Sequence, residues 1–292
     1  MRVGIGGDAK NDATHIAMIT DAECISFLQH ALPRLGLRWP GFRKVRRLVC
    51  KRLGRRLREL GVSRLPAYQG YLEDHPAEWR ILDALCRVPI SRFYRDRAVF
   101  ETLERAVLPS LAQAALAGER RELSCWSACC ASGEEPYTLA VVWQLRLAAR
   151  FPGLRLHIVA TDIDGRLVER ARFGCYRASS LKSFPPEFRM EAFVPRAAQF
   201  CLKNEFRMVE FAQQDIRQQM PDGTFDLILC RNAVLTYFAE PLQRLVLERL
   251  VTRLHAGGAL VVGMHESLPE GLALETWPQC QAIYRKRASG EP

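Results

Sequence analysis

Residues 126 to 143 read WSACCASGEEPYTLAVVW. The order is that of a strand, a tight turn of small residues and a helix. Such turns cradle nucleotides in α/β proteins, because small residues let the backbone approach a ligand. A phosphate cradle, however, is usually G-x-G-x-x-G. This turn has a single glycine, Gly133, followed by Glu134 and Glu135. Carboxylates at that place repel a phosphate and attract a cation. They also suit the first turn of a helix, where negative charge complements the dipole.

Two later segments should bring polar groups to the same edge. ATDID ends in acids, with Asp162 placed where a carboxylate accepts the two hydroxyls of a ribose. CRN, with Arg231 and Asn232, closes the apolar run FDLIL. An acid for a ribose beside an acid for a cation describes a nucleoside that carries positive charge. S-adenosylmethionine, with its sulfonium and ammonium, is such a ligand. A plain pair of acids opening a helix remains the alternative.

These residues need a scaffold that places strand ends side by side. From Glu122 onward strands alternate with helices: ELSCWS, EEPYTLAVVWQLRLAAR, RLHIVATDID, GRLVERARF up to Gly174, and FDLILCRN. A helix follows from Pro241 to His255, with Gly257 and Gly258 as its stop, and ALVVGMHES and CQAIYRKR are the last strands. This alternation predicts an α/β fold with a largely parallel, doubly wound sheet. The stretch about 178–212, which contains CLKNEFRMVEF, breaks the rhythm and predicts a small antiparallel insert.

The first third of the chain differs. Residues 1–98 hold 19 Lys and Arg against 10 Asp and Glu, whereas residues 99–292 hold 23 against 22. The net charge of +10 therefore belongs to the N-terminal part, which reads as all-helical. The division expected is a flexible start over 1–20, with Met18 as an alternative start, a basic helical domain over 21–88 and an α/β domain over 89–292. In FRKVRRLVCKRLGRRLREL, Val45, Leu48, Val49, Leu53, Leu57 and Leu60 form an apolar face. Nine Lys and Arg lie between Arg43 and Arg58 with no acid among them, which predicts either a solvated basic face or a docking surface for an acidic partner.

The ten cysteines form no C-x-x-C pair and do not cluster with the six histidines. Neither zinc nor a disulfide framework is expected, and the cysteines read as buried thiols of a cytoplasmic protein. No apolar run approaches the roughly 18 residues of a membrane helix, and no secretory signal opens the chain. The basic helix lacks the interleaved aromatics of a single-strand nucleic-acid binder.

The pieces RKVRRLVCKRLGRRL, ISRFYRD, WSACCASGEEPYTLA, ATDIDGRLVERARFGCY, VEFAQQDI, FDLILCRNAVLTYF and GGALVVGMHESL occur in order over roughly residues 22 to 268. In this the chain resembles the CheR family, the chemotaxis receptor glutamate methyltransferases. GEEPY and CRN...YF carry most of that resemblance. It implies an N-terminal helical domain, a Rossmann-like methyltransferase domain and an inserted β-subdomain. It further implies S-adenosylmethionine as methyl donor, a chemoreceptor cytoplasmic domain as partner, and glutamyl methyl esters as product.

By position, the resemblance assigns Ser91 and Arg95 to cofactor contacts and Glu134 to the methionine end. Asp162 falls to the ribose, Asp215 and Ile216 to the adenine, and Arg231 and Asn232 to the neighbourhood of the methionine moiety. Arg95 is also a candidate for orienting the incoming carboxylate. Tyr237 borders the substrate channel or packs in the core. On the basic helix, Arg43, Arg46, Arg47 and Arg55 are the docking candidates. The chain departs from the family pattern at Ser91 (usually Thr), Tyr94 (Phe), Pro89 (often Asn) and Asp215 (often Asn). The insert lacks the glycine cluster of members that grip a receptor tether, so tether-independent binding is expected. The expected protein is a cytoplasmic monomer without nucleic-acid partner, membrane insertion or metal. A methyltransferase of this fold with another protein or small-molecule substrate is the alternative.

Overall fold

The structure is a computed structural model and describes residues 19–287. The start expected to be flexible, Met18 included, lies outside the described residues apart from Ile19 and Thr20. The chain divides between Val88 and Pro89 into two compact units.

Among the described residues the first unit holds five helices: α1 (Asp21–Arg34), α2 (Trp39–Phe42), α3 (Arg46–Leu60), α4 (Leu65–Asp74) and α5 (Glu78–Cys86). A capping box starts α1. The Thr20 hydroxyl accepts from the Glu23 amide at 3.2 Å, and the Glu23 carboxylate accepts from the Thr20 amide at 2.9 Å. Helix α3 buries Val49, Leu53 and Leu57, spaced by four, and ends where Gly61 takes φ 70°. Leu48, expected on the apolar face, is exposed.

The basic helix is less unopposed than its sequence suggests, because acids on α1 and α5 and Glu59 in its own last turn pair with it. Arg46 makes a forked pair with Asp21 at 2.8–3.2 Å. Arg56 pairs with Glu78, Arg55 with Glu59, and Arg52 with the carbonyls of Leu85 and Arg87. The outward stripe is Arg47, Lys51, Arg55 and Arg58, spaced by four, four and three, with Arg43 and Lys44 just before the helix.

The cysteines also depart from expectation. Cys24 and Cys50 bridge α1 to α3, with Cα atoms 6.0 Å apart, and Cys175 is bonded to Cys201. Both pairs are separated by 26 residues, so only tertiary packing brings them together. The other six are free thiols. Alkylation of denatured protein, purified without reductant, is expected to label six cysteines, and ten after reduction. Labelling of all ten without reductant would show that neither bond is present.

The second unit opens with α6 (Arg97–Thr102), which runs through a π-turn into α7 (Leu108–Ala117). There follow β1 (Glu122–Ala128), α8 (Glu134–Val142), β2 (Arg155–Asp162), α9 (Gly165–Phe173), β3 (Cys175–Arg177), α10 (Pro186–Ala192), β4 (Phe193–Arg196), β5 (Gln199–Leu202) and β6 (Val209–Gln213). The chain closes with β7 (Phe225–Leu229), α11 (Val234–Tyr237), α12 (Glu240–Thr252), β8 (Leu254–Val261), β9 (Leu274–Trp277) and β10 (Cys280–Lys286). Seven strands form one sheet in the order β6-β2-β1-β7-β8-β10-β9. The first five are parallel, and β10 runs antiparallel to both of its neighbours, β8 and β9. Every residue of β7 is buried, as a strand covered on both faces requires. From β1 the chain crosses to β2 on one side and returns to β7 on the other, so β1 lies at the switch point.

The insert is smaller than expected. Its sheet is β3-β5-β4, drawn from residues 175–202. Val209–Gln213, expected inside it, instead pairs parallel to β2 as the edge of the main sheet. Gly257 and Gly258 do not stop α12, which ends at Thr252, but lie within β8. A Cβ on Gly258 would meet the carbonyl oxygens of Asp226 and Phe225 at 3.1 and 3.2 Å, where the β7–β8 register shifts.

Candidate functional site

The loops after β1, β2, β6 and β7 leave the same edge of four neighbouring strands, and they carry Glu134, Asp162, Asp215 and Arg231. The turn after β1 is held open by β2. Cys130 N–H donates to the Thr161 carbonyl at 2.9 Å, and Ala131 N–H donates to Asp162 Oδ2 at 2.8 Å. The other Asp162 oxygen accepts from Asp164 N–H at 2.9 Å. Asp162 thus braces the turn as well as ending the strand.

Gly133, the one glycine, sits at φ 87°. A Cβ there would lie 2.8 Å from the Ala171 Cβ and 3.1 Å from the Phe211 ring. The glycine lets the turn pack closely against α9 and the edge strand β6.

Among the described residues, five of seven non-glycine residues at positive φ lie in the site segments: Tyr94, Asp96, Cys129, Ala131 and Asn232. Each such conformation costs on the order of 1 kcal/mol, and it persists where surrounding contacts enforce it. Here the Asp162 carboxylate enforces Ala131. Glu266 enforces Asn232, accepting its amide at 2.9 Å and that of Gly263 at 2.7 Å.

Glu134 is only 2 % exposed. Both its oxygens accept from a single donor, the Ser132 hydroxyl at 2.9 Å. A buried carboxylate has room for about four donors, so acceptor capacity is left over. The Oε1 atom of Gln214, just beyond β6, is buried without a partner. The Gln214 amide donates to the Asp162 carbonyl at 3.0 Å, which fixes it next to the ribose-type acid. Spare acceptors and acids, without a glycine cradle for phosphate, fit a cationic nucleoside with ribose hydroxyls and an amino group. The set fits S-adenosylmethionine, and Glu134, Asp162 and Gln214 are the residues that could hold it.

The remaining sequence-derived residues take varied positions. Asp215 is engaged by Arg217, whose amide and guanidinium donate to it at 2.9–3.0 Å, and Ile216 is buried beside it. Ser91 is half-buried in the segment before α6. Arg95 is half-buried and donates to the Ile90 carbonyl at 2.9 Å. Burial pushes the Tyr237 phenol up, the positive charge of Arg95 opposes this, and Glu266 adds to it. Arg95 is therefore near enough for Tyr237 to feel its charge. The Cys129, Cys130 and Cys230 thiols, in the same loops, are pushed up by burial and stay protonated.

Arg231 is held by protein groups through its two terminal nitrogens, and its Nε is buried without a partner. Its side chain is 2 % exposed and bonds to Glu135, Asp96 and the Arg95 carbonyl. The Tyr176 hydroxyl, from β3, donates to the Ser132 carbonyl at 2.8 Å and ties the small sheet to the cofactor turn. Sequence reasoning passed over Gln214, Glu266 and Tyr176. Only Glu266 left a signal, an acid just past the end of a strand.

A family model described as the CheR methyltransferase SAM-binding domain matches residues 90–281, and the CheR all-alpha domain matches residues 44–84. The chain belongs to the CheR methyltransferase family. The chemotaxis protein methyltransferase of Salmonella typhimurium is 34% identical over 250 residues, covering 82% of each chain. That of Escherichia coli K12 is 34% identical over 233 residues, covering 76% of this chain and 77% of the other. That of Listeria innocua is 31% identical over 186 residues, covering 63% and 68%. As a CheR-family member the chain is an S-adenosylmethionine-dependent methyltransferase. No helix among the described residues is long and apolar enough to cross a membrane.

Proposed function

We propose that this enzyme methylates glutamate side chains of chemoreceptor cytoplasmic domains, forming glutamyl methyl esters, and that it does so in the cytoplasm as a monomer. The observation that carries this reading is Arg95. It is a half-buried guanidinium in the segment before α6, its charge acts on Tyr237, and an anionic nucleophile needs such a counter-charge. The names of the chemotaxis relatives support the choice of substrate.

The bound cofactor supplies an electrophilic methyl group. A free glutamate, with a pKa of about 4.3, is already ionised at neutral pH, so the chain need not supply a general base. Its residues have to hold the carboxylate in line, about 3 Å from the methyl carbon, and strip part of its water. Arg95 orients the carboxylate, and Tyr237 borders its path. Glu134 and Asp162 hold the donor still while the carboxylate arrives.

The deciding experiment is transfer of radiolabelled methyl from S-adenosylmethionine to a receptor cytoplasmic fragment, followed by mild base and capture of methanol. Volatile label is expected. Base-stable label would point to another acceptor atom, and no label on any receptor would remove the substrate assignment.

The exposed stripe Arg47, Lys51, Arg55 and Arg58 suits an acidic helical partner, because like charges along one helix face raise the rate of encounter with it. Arg43 joins the stripe. Arg46 does not, since Asp21 holds it in a forked pair at 2.8–3.2 Å, whereas Arg55, 3.6 Å from Glu59, stays exposed. Reversal of Arg47 and Lys51 to Glu is expected to raise the KM for receptor about tenfold at low salt, with the gap narrowing as salt is added. Cofactor affinity should stay unchanged. An unaltered KM at low salt would remove the stripe from docking.

A further inference from the structure

Arg95 sits between two residues in left-handed backbone, Tyr94 at φ 54° and Asp96 at φ 61°. Such a turn holds one side-chain direction only if something pins it. The pin is Arg231, which follows β7. One arm of its guanidinium donates to the Arg95 carbonyl at 2.9 Å and to Asp96 Oδ2 at 2.6 Å. The other donates to Glu135 Oε2 at 3.0 Å. The second Glu135 oxygen accepts from the Ser127 hydroxyl at 2.8 Å, inside β1. The Phe100 ring lies 5.4 Å from the guanidinium carbon.

The arginine is thus clamped between two carboxylates, one on the Arg95 turn and one on α8. Both terminal nitrogens are committed to protein groups, while its Nε is buried without a partner. Glu135 is also the neighbour of Glu134, so the first turn of α8 carries an acid for the cofactor and an acid for the clamp.

We infer that Glu135, Arg231 and Asp96 are positioning residues that aim Arg95 at the reacting carboxylate. The inference rests on the reading of Arg95 given above. Cofactor binding does not need the clamp, because Glu134, Asp162 and Gln214 are placed by other contacts. Loss of the clamp should therefore lower kcat and leave cofactor affinity alone.

Asp96→Asn is the variant of choice. Asn tolerates left-handed backbone and keeps the shape, while the charge on Arg231 loses one partner. Its kcat is expected to fall about tenfold, with the Kd for S-adenosylhomocysteine within about twofold. Arg95→Ala should lower kcat about thirtyfold. In that background, Asp96→Asn should cost less than about twofold, because the aim of an absent side chain no longer matters.

The same drop in both backgrounds would make Asp96 a structural residue and overturn the inference. So would unchanged turnover in Asp96→Asn alone. Unchanged turnover in Arg95→Ala would instead sink the role of Arg95, and the inference with it. Glu135→Gln is the second variant if Asp96→Asn does not fold, with the same cycle expected.

Discussion

Replacing Asp162 with alanine is expected to weaken binding of S-adenosylmethionine about a hundredfold, measured by titration calorimetry on the full chain. Two losses combine. The ribose-type acceptor disappears from the end of β2. The brace on the β1 turn disappears as well, since Asp162 accepts the Ala131 amide at 2.8 Å and the Asp164 amide at 2.9 Å. Ala131 stands at φ 50°, a conformation it keeps because that amide is held. A hydrogen bond to a charged group is worth about 1.5–3 kcal/mol. About 3 kcal/mol for both losses together is roughly a hundredfold in Kd. Asp162→Asn keeps the shape and one carbonyl acceptor, so it should fall between the two. An alanine variant that is folded and binds within threefold of the parent would mean that Asp162 only ends a strand.

What the sequence made legible, and what it did not, follows from the range of the forces involved. The turn after β1, the acid ending β2 and the CRN segment after β7 could be read because the fold places strand ends together once the βα alternation is recognised. The apolar stripe Val49, Leu53, Leu57 could be read because helix periodicity is local. Partners distant in sequence could not. Arg231 and Asp96 are 135 residues apart, and no pattern links an arginine after one strand to a turn before the first. Arg46 looked unopposed because Asp21 lies on another helix. The two disulfides were missed for the same reason. Strand β6 was misplaced for a subtler one. An edge strand of a parallel sheet is not buried along its whole length, so VEFAQ has the mixed pattern of an antiparallel hairpin. The glycines in β8 read as a helix stop, although Gly257 serves a left-handed backbone at φ 74° and Gly258 the nearness of the His255, Asp226 and Phe225 carbonyls.

The helical unit has its own critical ion pair, and its loss should be large. Glu78, at the start of α5, is 4 % exposed. It accepts from Arg56 Nε at 2.9 Å, from the other guanidinium arm at 2.8 Å, and from the buried Tyr68 hydroxyl at 2.8 Å. Glu78→Ala strands the Tyr68 phenol and leaves the part-buried Arg56 only its exposed partner Glu59 at 3.2 Å. Breaking a buried pair from one side costs about 3 kcal/mol or more. Amide exchange of α3 and α5 in the full chain should then run about a hundredfold faster. The hydrogen bonds from Arg56 hold the Glu78 carboxyl below the usual glutamate range. A depressed pKa contributes stability that is present above about pH 4.3, the unfolded value, and is lost as pH falls through the folded value. Protection of α3 and α5 in the parent should therefore weaken on acidification below about pH 4.3. Glu78→Gln, which has no proton to gain there, should start lower and lose less over the same interval. Equal acid sensitivity in parent and Gln variant would assign the loss to other carboxylates. Exchange unchanged in Glu78→Ala would mean that apolar packing alone, through Val49, Leu53 and Leu57, carries the helical unit.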